Sequence, residues 1–355
     1  MNVSDANEKI AQINYKEAKK TYSYLLICLV LYNVLAILVS LVFELLIGDS
    51  NENISMLMNI VLLVVPQYLI AFPITALLIK RKNTKSVEQA EKIKVPVKTL
   101  AGTICLCFSA TIVSGFVVNF ISIVTTILTD KIMIDPVTEL LYDIPYAIIF
   151  VLTIILAPIT EELLFRKWFI DITEKYGKTL SAFSAALCFA LFHANINQFF
   201  YAFMIGFILS VIYIKTKKII YPIIIHVIFN FFGSITVPLS MYMLENMPKE
   251  FMELSPEQLL SEEYILHFAN NPPDNILLLA LCGLIITVIT VGILAAAIIG
   301  IVFLAKNRTI FKFMPTSNDI PKQKAFSVIF LNVGGVIFLI GTVVLTIVTF
   351  IMYLQ

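Results

Sequence analysis

Residues 144–165 read IPYAIIFVLTIILAPITEELLF, and this stretch decides the fold. About 20 consecutive apolar residues cross a bilayer core, and this run stays almost wholly apolar until it reaches two adjacent glutamates, Glu161 and Glu162. The whole chain has the same character, because 59% of its 355 residues are hydrophobic and 14% are charged, with a mean hydropathy of +0.92. Soluble domains carry about 25% charged residues. We therefore predict an all-α, polytopic transmembrane helical bundle.

Apolar runs of this kind recur along the chain and predict about nine helices. They lie at about 22–47, 56–79, 99–128, 144–165, 179–194, 197–214, 219–243, 275–304 and 325–353. The fifth run is short, which predicts a helix that is tilted or does not fully cross the membrane. A short polar turn at Asn195, Ile196 and Asn197 joins this run to the sixth.

The basic residues orient the predicted helices. Of the 25 lysines and arginines, all but Lys131 and Lys249 fall in the N-terminal tail or in loops on one side of the membrane. Cytoplasmic loops are enriched in Lys and Arg, so this side is predicted to be the cytoplasm. The N-terminus is then cytoplasmic and the C-terminus lies outside. A net charge of +1 argues against a nucleic-acid partner, and membrane lipids are the expected surroundings.

The runs and loops divide the chain into five predicted parts. These are a cytoplasmic N-terminal tail at 1–21, accessory transmembrane helices at 22–143, a helical core at 144–243, an acidic extracytoplasmic loop at 244–274, and C-terminal transmembrane helices at 275–355. The acidic loop is predicted to hold one short surface helix. Because the chain is rich in Ile, Lys and Asn, we expect a multi-pass protein of a bacterial plasma membrane.

The first polar cluster closes the fourth run, at its predicted cytoplasmic end. Charges near the bilayer centre cost about 2.5–3.5 kcal/mol on insertion scales. Consecutive helical residues point about 100° apart, so Glu161 and Glu162 face different ways. Glu162 and Arg166 are four residues apart and are predicted to form an ion pair. Glutamate and arginine are also ordinary residues at a helix end, so this cluster alone fits a purely structural explanation.

Two histidine motifs follow in the next apolar runs. His193 closes the fifth run, four residues after Phe189, and alone it also fits a hydrogen-bonded interfacial residue. His226 and Asn230 share one face of the seventh helix, where they can also join helices by hydrogen bonds. Pro222 lacks a backbone donor and predicts a kink near His226.

Taken together, these residues are the parts of a hydrolytic site. A carboxylate such as Glu161 can serve as a general base, and histidine and asparagine side chains can donate hydrogen bonds to a developing oxyanion. They come from three separate apolar runs that the fold can bring together. The chain contains neither the HExxH zinc signature nor the GxSxG motif of serine hydrolases.

The motifs EExxxR, FxxxH and HxxxN, in this order on successive apolar runs, resemble the CPBP family. This family includes the type II CAAX prenyl proteases and bacteriocin-processing or self-immunity proteins, and the resemblance covers about residues 144–243. It implies that Glu161 with His193 activates the attacking water, and that His226 with Asn230 stabilises the oxyanion. It also implies that the remaining motif residues, Glu162, Arg166 and Phe189, support the structure of the site.

We predict that the reaction needs no metal or other cofactor. The alternative is a divalent metal such as zinc, because Glu161, His193 and His226 can supply three ligands and leave one position open.

The predicted function is that of an intramembrane endopeptidase. It hydrolyses a peptide bond in a membrane-associated peptide or protein, and in a bacterium we expect a peptide pheromone, a bacteriocin precursor or a lipid-associated peptide as substrate. Two other functions fit the same residues. One is a non-catalytic membrane scaffold or bacteriocin immunity protein, and the other is a transporter whose polar residues line a substrate or proton path.

Overall fold

The protein is a bundle of apolar helices. A computed structural model describes residues 3–47, 60–62, 64–82, 93–133, 145–248, 254–316 and 319–354. Within these ranges the chain has no β-strand, only an isolated bridge between Met133 and Leu354, and eight helices are long and apolar enough to cross a membrane. The predicted all-α, polytopic bundle is therefore confirmed. The beginning of the second predicted run, the predicted boundary at 143/144 and Lys249 lie outside the described residues.

The helices used below are numbered in chain order. They are α1 (Val3–Ile47), α2 (Ile60–Lys82), α3 (Val97–Thr129), α4 (Tyr146–Tyr176), α5 (Lys178–Phe192), α6 (Ile196–Thr216), α7 (Ile220–Asn246), α8 (Glu262–Asn270), α9 (Ile276–Lys306), α10 (Lys322–Ile329) and α11 (Val333–Met352). From Val3 onwards the predicted N-terminal tail is helical and continues into the first span without a break. Helix α8 lies in the acidic loop, where the sequence predicts a short helix.

The fifth apolar run forms α5, which is too short to cross a bilayer. Its 15 residues span about 22 Å, whereas the hydrocarbon core is about 30 Å thick. Gly177 turns the chain from α4 into α5 with a φ of +127°, a conformation that favours glycine. Ala182, Ala185 and Phe189 of α5 are buried inside the bundle. The predicted nine helices are thus eight candidate spans and one shorter helix among the described residues.

Helix α4 continues past its predicted end and places the glutamate pair in mid-helix. The sequence predicts an end near residue 165, whereas the helix runs to Tyr176. Glu161 therefore lies near the middle of α4, and its predicted position at the cytoplasmic end is wrong. π-helical turns at Val151–Leu156 and Glu162–Ile170 flank Pro158. Such turns insert extra residues into a helix and are frequent at functional sites.

Pro222 does not interrupt α7. It lies in the first turn of the helix, where the N–H groups have no intrahelical partner, so its missing donor costs little. The physical reason for a kink near His226 therefore fails. The proline inside α7 is Pro238, further along the helix.

The ninth apolar run, 325–353, is divided between α10 and α11. Asn332 lies in the break and caps α11, because its side chain accepts the N–H of Gly335 at 2.8 Å. Here α11 also touches α1, since the N–H of Gly334 donates to Oγ of Ser23 at 2.9 Å. A side chain at Gly334 would collide with the backbone of Ser23. Helices α1 and α11 therefore pack backbone against backbone at this point.

Candidate active site

Glu162 and Arg166 form an ion pair in the interior of the bundle. Nη1 of Arg166 lies 3.1 Å from Oε1 of Glu162, and neither side chain is exposed. The predicted i,i+4 pair is thus present. The attraction is one of charge, because among the described residues no guanidinium nitrogen of Arg166 has the alignment of a hydrogen bond. The guanidinium also stacks on Phe189, with its carbon 4.4 Å from the ring centre.

His226 on α7 is held by the same carboxylate. Its Nδ1 lies 2.8 Å from Oε1 of Glu162. A carboxylate only accepts hydrogen bonds, so Nδ1 of His226 carries the proton and donates it. This bond fixes the orientation of the imidazole, as a carboxylate does for many functional histidines.

Glu161 faces the other nitrogen of this imidazole. Oε2 of Glu161 lies 3.7 Å from Nε2 of His226. This distance exceeds that of a hydrogen bond, so the two atoms face each other across a narrow gap. The side chain of Glu161 is 22% exposed, whereas that of Glu162 is 0% exposed. The adjacent glutamates therefore approach His226 on its two nitrogens, and Glu161 is the one that keeps accessible surface.

Phe189 brings the second histidine beside the cluster. Its ring meets both imidazoles edge-on, with centroid distances of 4.7 Å to His193 and 6.1 Å to His226. The carbonyl oxygen of Phe189 also accepts a hydrogen bond from Nδ1 of His193 at 2.8 Å. In a neutral imidazole this leaves Nε2 of His193 as an acceptor. His193 is half-buried at the end of α5.

Asn230 is engaged in a contact between α7 and α4. Its Nδ2 donates to the carbonyl oxygen of Thr153 at 2.8 Å. That oxygen lacks its usual helical partner, because the N–H of Ala157 donates to Leu152 in the π-helical turn and Pro158 has no N–H. Asn230 therefore donates to a backbone oxygen that the π-helical turn and Pro158 leave without a donor. This contact between α7 and α4 corresponds to the alternative that Asn230 joins two helices.

The comparison with known protein families gives a match. Residues 143–232 match the family model described as Type II CAAX prenyl endopeptidase Rce1-like. These residues are therefore similar to the CPBP family and are called the CPBP-family domain below. The resemblance inferred from the three motifs is thereby confirmed, and at the general level the match supports a CAAX-type intramembrane protease. No curated protein and no solved structure matches the chain at a significant level.

A tyrosine outside the CPBP-family domain packs beside the second histidine. Tyr32 of α1 is buried, and its ring packs edge-on against Phe192 at a centroid distance of 5.0 Å, directly before His193. Sequence reasoning missed this tyrosine, since no motif distinguishes it from other aromatic residues of the spans. Helix α1 thus contacts the end of α5 that carries His193.

The turn after His193 has an uncommon backbone and borders a small cleft. Ala194 adopts a left-handed conformation with a φ of +47°, which glycine adopts far more readily than alanine. Asn195 then begins α6 by accepting the N–H of Asn197 at 2.9 Å. The cleft is lined by this turn together with Met133 and residues of α11 such as Thr346. None of the predicted catalytic residues lines this cleft.

The alternative of a zinc site stays a prediction. In the part of the chain that the structure describes, no three His, Cys, Asp or Glu side chains are grouped to hold a metal ion. Nδ1 of His226 is directed to Glu162 and Nδ1 of His193 to a backbone carbonyl, which leaves Nε2 of each ring available. Metal-ligating histidines commonly have their other nitrogen held in this way, so these contacts do not argue against zinc. The cofactor-free reaction also stays a prediction.

Proposed function

We propose that this protein is an intramembrane endopeptidase in which Glu161 activates water for attack on a peptide bond. One observation carries the proposal. Oε2 of Glu161 faces Nε2 of His226 at 3.7 Å, while Nδ1 of the same ring is held by Glu162 at 2.8 Å. A base and an oriented imidazole on opposite sides of a narrow gap are the minimal requirements for hydrolysis by activated water.

The proposed reaction begins at the carboxylate of Glu161. Glu161 takes a proton from water, and the water oxygen forms a bond to the carbonyl carbon of the substrate. The carbonyl oxygen then carries the negative charge of the tetrahedral intermediate. When the C–N bond breaks, Glu161 returns its proton to the leaving amine. Glu161 is suited to this role because it is the glutamate of the pair that keeps exposed surface.

His226 is the proposed donor to the oxyanion. Nδ1 of His226 donates to Glu162, and Nε2 of the same ring faces the gap beside Glu161 in which the proposed oxyanion forms. An imidazolium donates from both nitrogens, so Nε2 can donate to the oxyanion while Nδ1 donates to Glu162.

For His193 and Asn230 we propose the roles that the family resemblance implies. The contacts of the two residues support these roles to different degrees. Nε2 of His193 is free to accept a hydrogen bond from the attacking water, since its Nδ1 donates to Phe189. Asn230 retains one amide N–H for the oxyanion, because the other is donated to Thr153. Thr153 lies about 12 Å before Glu161 along α4, so the oxyanion role of Asn230 has less geometric support than that of His226.

The surroundings of the reaction follow from the spans and the family. The substrate is a peptide or protein held in or at the membrane, and the reaction is cofactor-free. We place the protein in a bacterial plasma membrane with its N-terminus in the cytoplasm, on the basis of its composition and of the distribution of its basic residues.

The proposal is tested by peptidomics of membranes from cells that express the wild type, Glu161→Gln or Glu262→Gln. Glu262 is an exposed residue of α8 and provides the matched control for loss of one carboxylate. We expect processed peptides from the wild type and from Glu262→Gln, and about 10²–10⁴-fold fewer from Glu161→Gln. Equal yields from Glu161→Gln and the wild type, with the same thermal unfolding midpoint, would falsify the proposal. A cellular role that survives in Glu161→Gln would point to a scaffold or immunity protein.

A further inference from the structure

Helix α6 contacts the site at a residue without a side chain. A Cβ atom added to Gly206 would lie 3.0 Å from Cδ1 of Phe189, 3.3 Å from Cα of Ala186 and 3.3 Å from Nη2 of Arg166. Contacts of 3.0–3.4 Å require the neighbouring atoms to give way. The Ala186 contact is with the backbone of α5, which cannot turn aside. A side chain at position 206 would therefore push on Phe189 and Arg166.

Arg166 is sensitive to such a push. It is completely buried, and within the described residues its guanidinium is held by the ion pair with Glu162 and by the stack on Phe189. Neither interaction has the strict direction of a hydrogen bond. The position of the guanidinium therefore depends on the residues packed around it, and Gly206 is one of these residues.

A single oxygen atom contacts both Arg166 and His226. Oε1 of Glu162 lies 3.1 Å from Nη1 of Arg166 and 2.8 Å from Nδ1 of His226. Displacement of the guanidinium therefore shifts the carboxylate that orients His226. Phe189, the other side chain that touches Gly206, contacts both imidazoles. Both routes end at the gap between His226 and Glu161.

We propose that Gly206 is a positioning residue of this peptidase site: its missing side chain lets α6 close on α5, which seats Arg166 against Phe189 and thereby aligns Glu162 with His226. The proposal rests on the proposed function for its link to catalysis. Its structural part concerns only the orientation of the His226 ring and is measured without a substrate.

The chain offers a matched control for this glycine. Gly233 lies on α7, the helix of His226, and a Cβ added there would meet nothing within 4 Å. Gly233→Ala therefore adds the same methyl group without a collision and should be neutral or slightly stabilising. A difference between Gly206→Ala and Gly233→Ala then reports the packing at α6 and not the loss of a glycine.

The test is solid-state NMR of [15N]histidine-labelled protein in lipid bilayers. The chain has only three histidines, so the His226 ring signals are assigned by their absence in His226→Gln. We expect Gly206→Ala to move the His226 Nδ1 signal towards that of a free imidazole, and Gly233→Ala to leave it unchanged. Because misplacement of about 1 Å can cost about 10²-fold in rate, we also expect peptide products to fall about 10²-fold in Gly206→Ala. Unchanged His226 signals in folded Gly206→Ala would overturn the proposal.

A second variant keeps the test decisive where Gly206→Ala does not fold. Phe189→Leu removes the ring atom that lies closest to the added methyl group. Relief of this closest contact should restore folding in the double variant. The contacts of the added methyl group with Ala186 and Arg166 remain, so we expect the His226 signals of the double variant still to differ from those of Phe189→Leu alone. A double variant that does not fold, or that folds with His226 signals equal to those of Phe189→Leu alone, would overturn the proposed route through Arg166.

The two readouts also separate this proposal from the proposed function. Shifted His226 signals in Gly206→Ala, together with full product yields in Glu161→Gln, would leave the positioning intact and refute the peptidase. Unshifted signals, together with loss of products in Glu161→Gln, would refute the positioning and leave the peptidase intact.

Discussion

Helices α6 and α9 show how differently two apolar spans are used in this protein. The more apolar of the two is the less buried: the most hydrophobic window of α9 has a mean hydropathy of 2.9 and is 11% buried, whereas that of α6 has 1.8 and is 61% buried. In a membrane protein lipid replaces water, so apolar composition no longer indicates the interior. The interior is marked instead by hydroxyl and charged residues, which are costly to expose to lipid.

The same contrast appears in the contacts of the two regions. Helix α6 packs against the buried charges of α4, whereas α9 meets α3 through small residues. Ser109 of α3 donates to the carbonyl oxygen of Ala297 at 2.6 Å, and a side chain at Gly300 would collide with Cys105 and Ser109. Close backbone approach with one polar contact is a common way to join helices in lipid.

The largest stability effect should come from separation of the buried ion pair. Arg166→Ala leaves the carboxylate of Glu162 buried with no cation beside it, which typically costs about 3–5 kcal/mol. We expect a corresponding fall in the unfolding midpoint in detergent micelles. Lys175→Ala is the control, because Lys175 pairs with Glu17 at a half-exposed position and surface pairs contribute about 0–1 kcal/mol.

Replacement of both charged residues sharpens this test. In the double variant Glu162→Leu/Arg166→Met no charge of the pair remains, so stability should recover towards that of the wild type. Activity should not recover, because His226 has then lost the carboxylate that orients it. A double variant as unstable as Arg166→Ala would show that the pair matters for its shape and not for its charge.

A smaller effect is expected at the contact between Asn230 and Thr153. Asn230→Ala leaves the carbonyl oxygen of Thr153 without its donor, at a cost of about 1–3 kcal/mol. Pro158→Ala restores an N–H near that oxygen, so it should reduce the cost of Asn230→Ala. Thermal unfolding of the two single variants and the double variant measures this coupling. Strict additivity would mean that the proline does not leave the oxygen free.

Asn246→Ala controls for the loss of an asparagine from α7. Its Nδ2 donates to the carbonyl oxygen of Tyr242 at 2.9 Å in an exposed part of the same helix. Water can replace this donor, so we expect a change within about 0.5 kcal/mol.

Two glycine substitutions should separate the packed face of α9 from its lipid-facing side. Gly300→Ala forces a methyl group against α3 and should cost about 1–3 kcal/mol. Gly292→Ala, on the same helix, meets nothing within 4 Å and should be neutral or stabilising by up to about 1 kcal/mol. Unfolding midpoints of the two variants in detergent provide the comparison. Equal destabilisation would show that α9 and α3 do not pack in this way.

The spans were predictable from the sequence, but the length of α4 was not. Hydropathy locates a span because lipid demands a long apolar run, whereas the charged segment after residue 165 resembles a loop. The structure keeps that segment helical by pairing its charges. Asp171 accepts Lys167 at 2.7 Å and the hydroxyl of Tyr213 at 2.8 Å. The pair of Lys167 with Asp171 lies within α4, whereas the contact with Tyr213 depends on α6, which follows later in the chain and is not revealed by α4 alone.

The site shows the same limit. The ion pair of Glu162 and Arg166 follows from helical spacing and was predictable. The hydrogen bond from His226 to Glu162 joins α7 to α4, and spacing within one helix contains no information about it. The motifs point to the candidate residues, whereas the helix contacts decide that His226 meets Glu162 and that His193 meets a backbone carbonyl.

The contact of Gly334 with Ser23 has a consequence for how the protein is made. The two residues are 311 positions apart, so α1 enters the membrane long before its partner is synthesised. At roughly 5–20 residues per second, the ribosome needs tens of seconds to reach α11. During this interval the groove on α1 that later receives α11 is open to lipid or to another protein. A chain that ends before α11 would therefore leave the backbone of α1 near Ser23 without this partner.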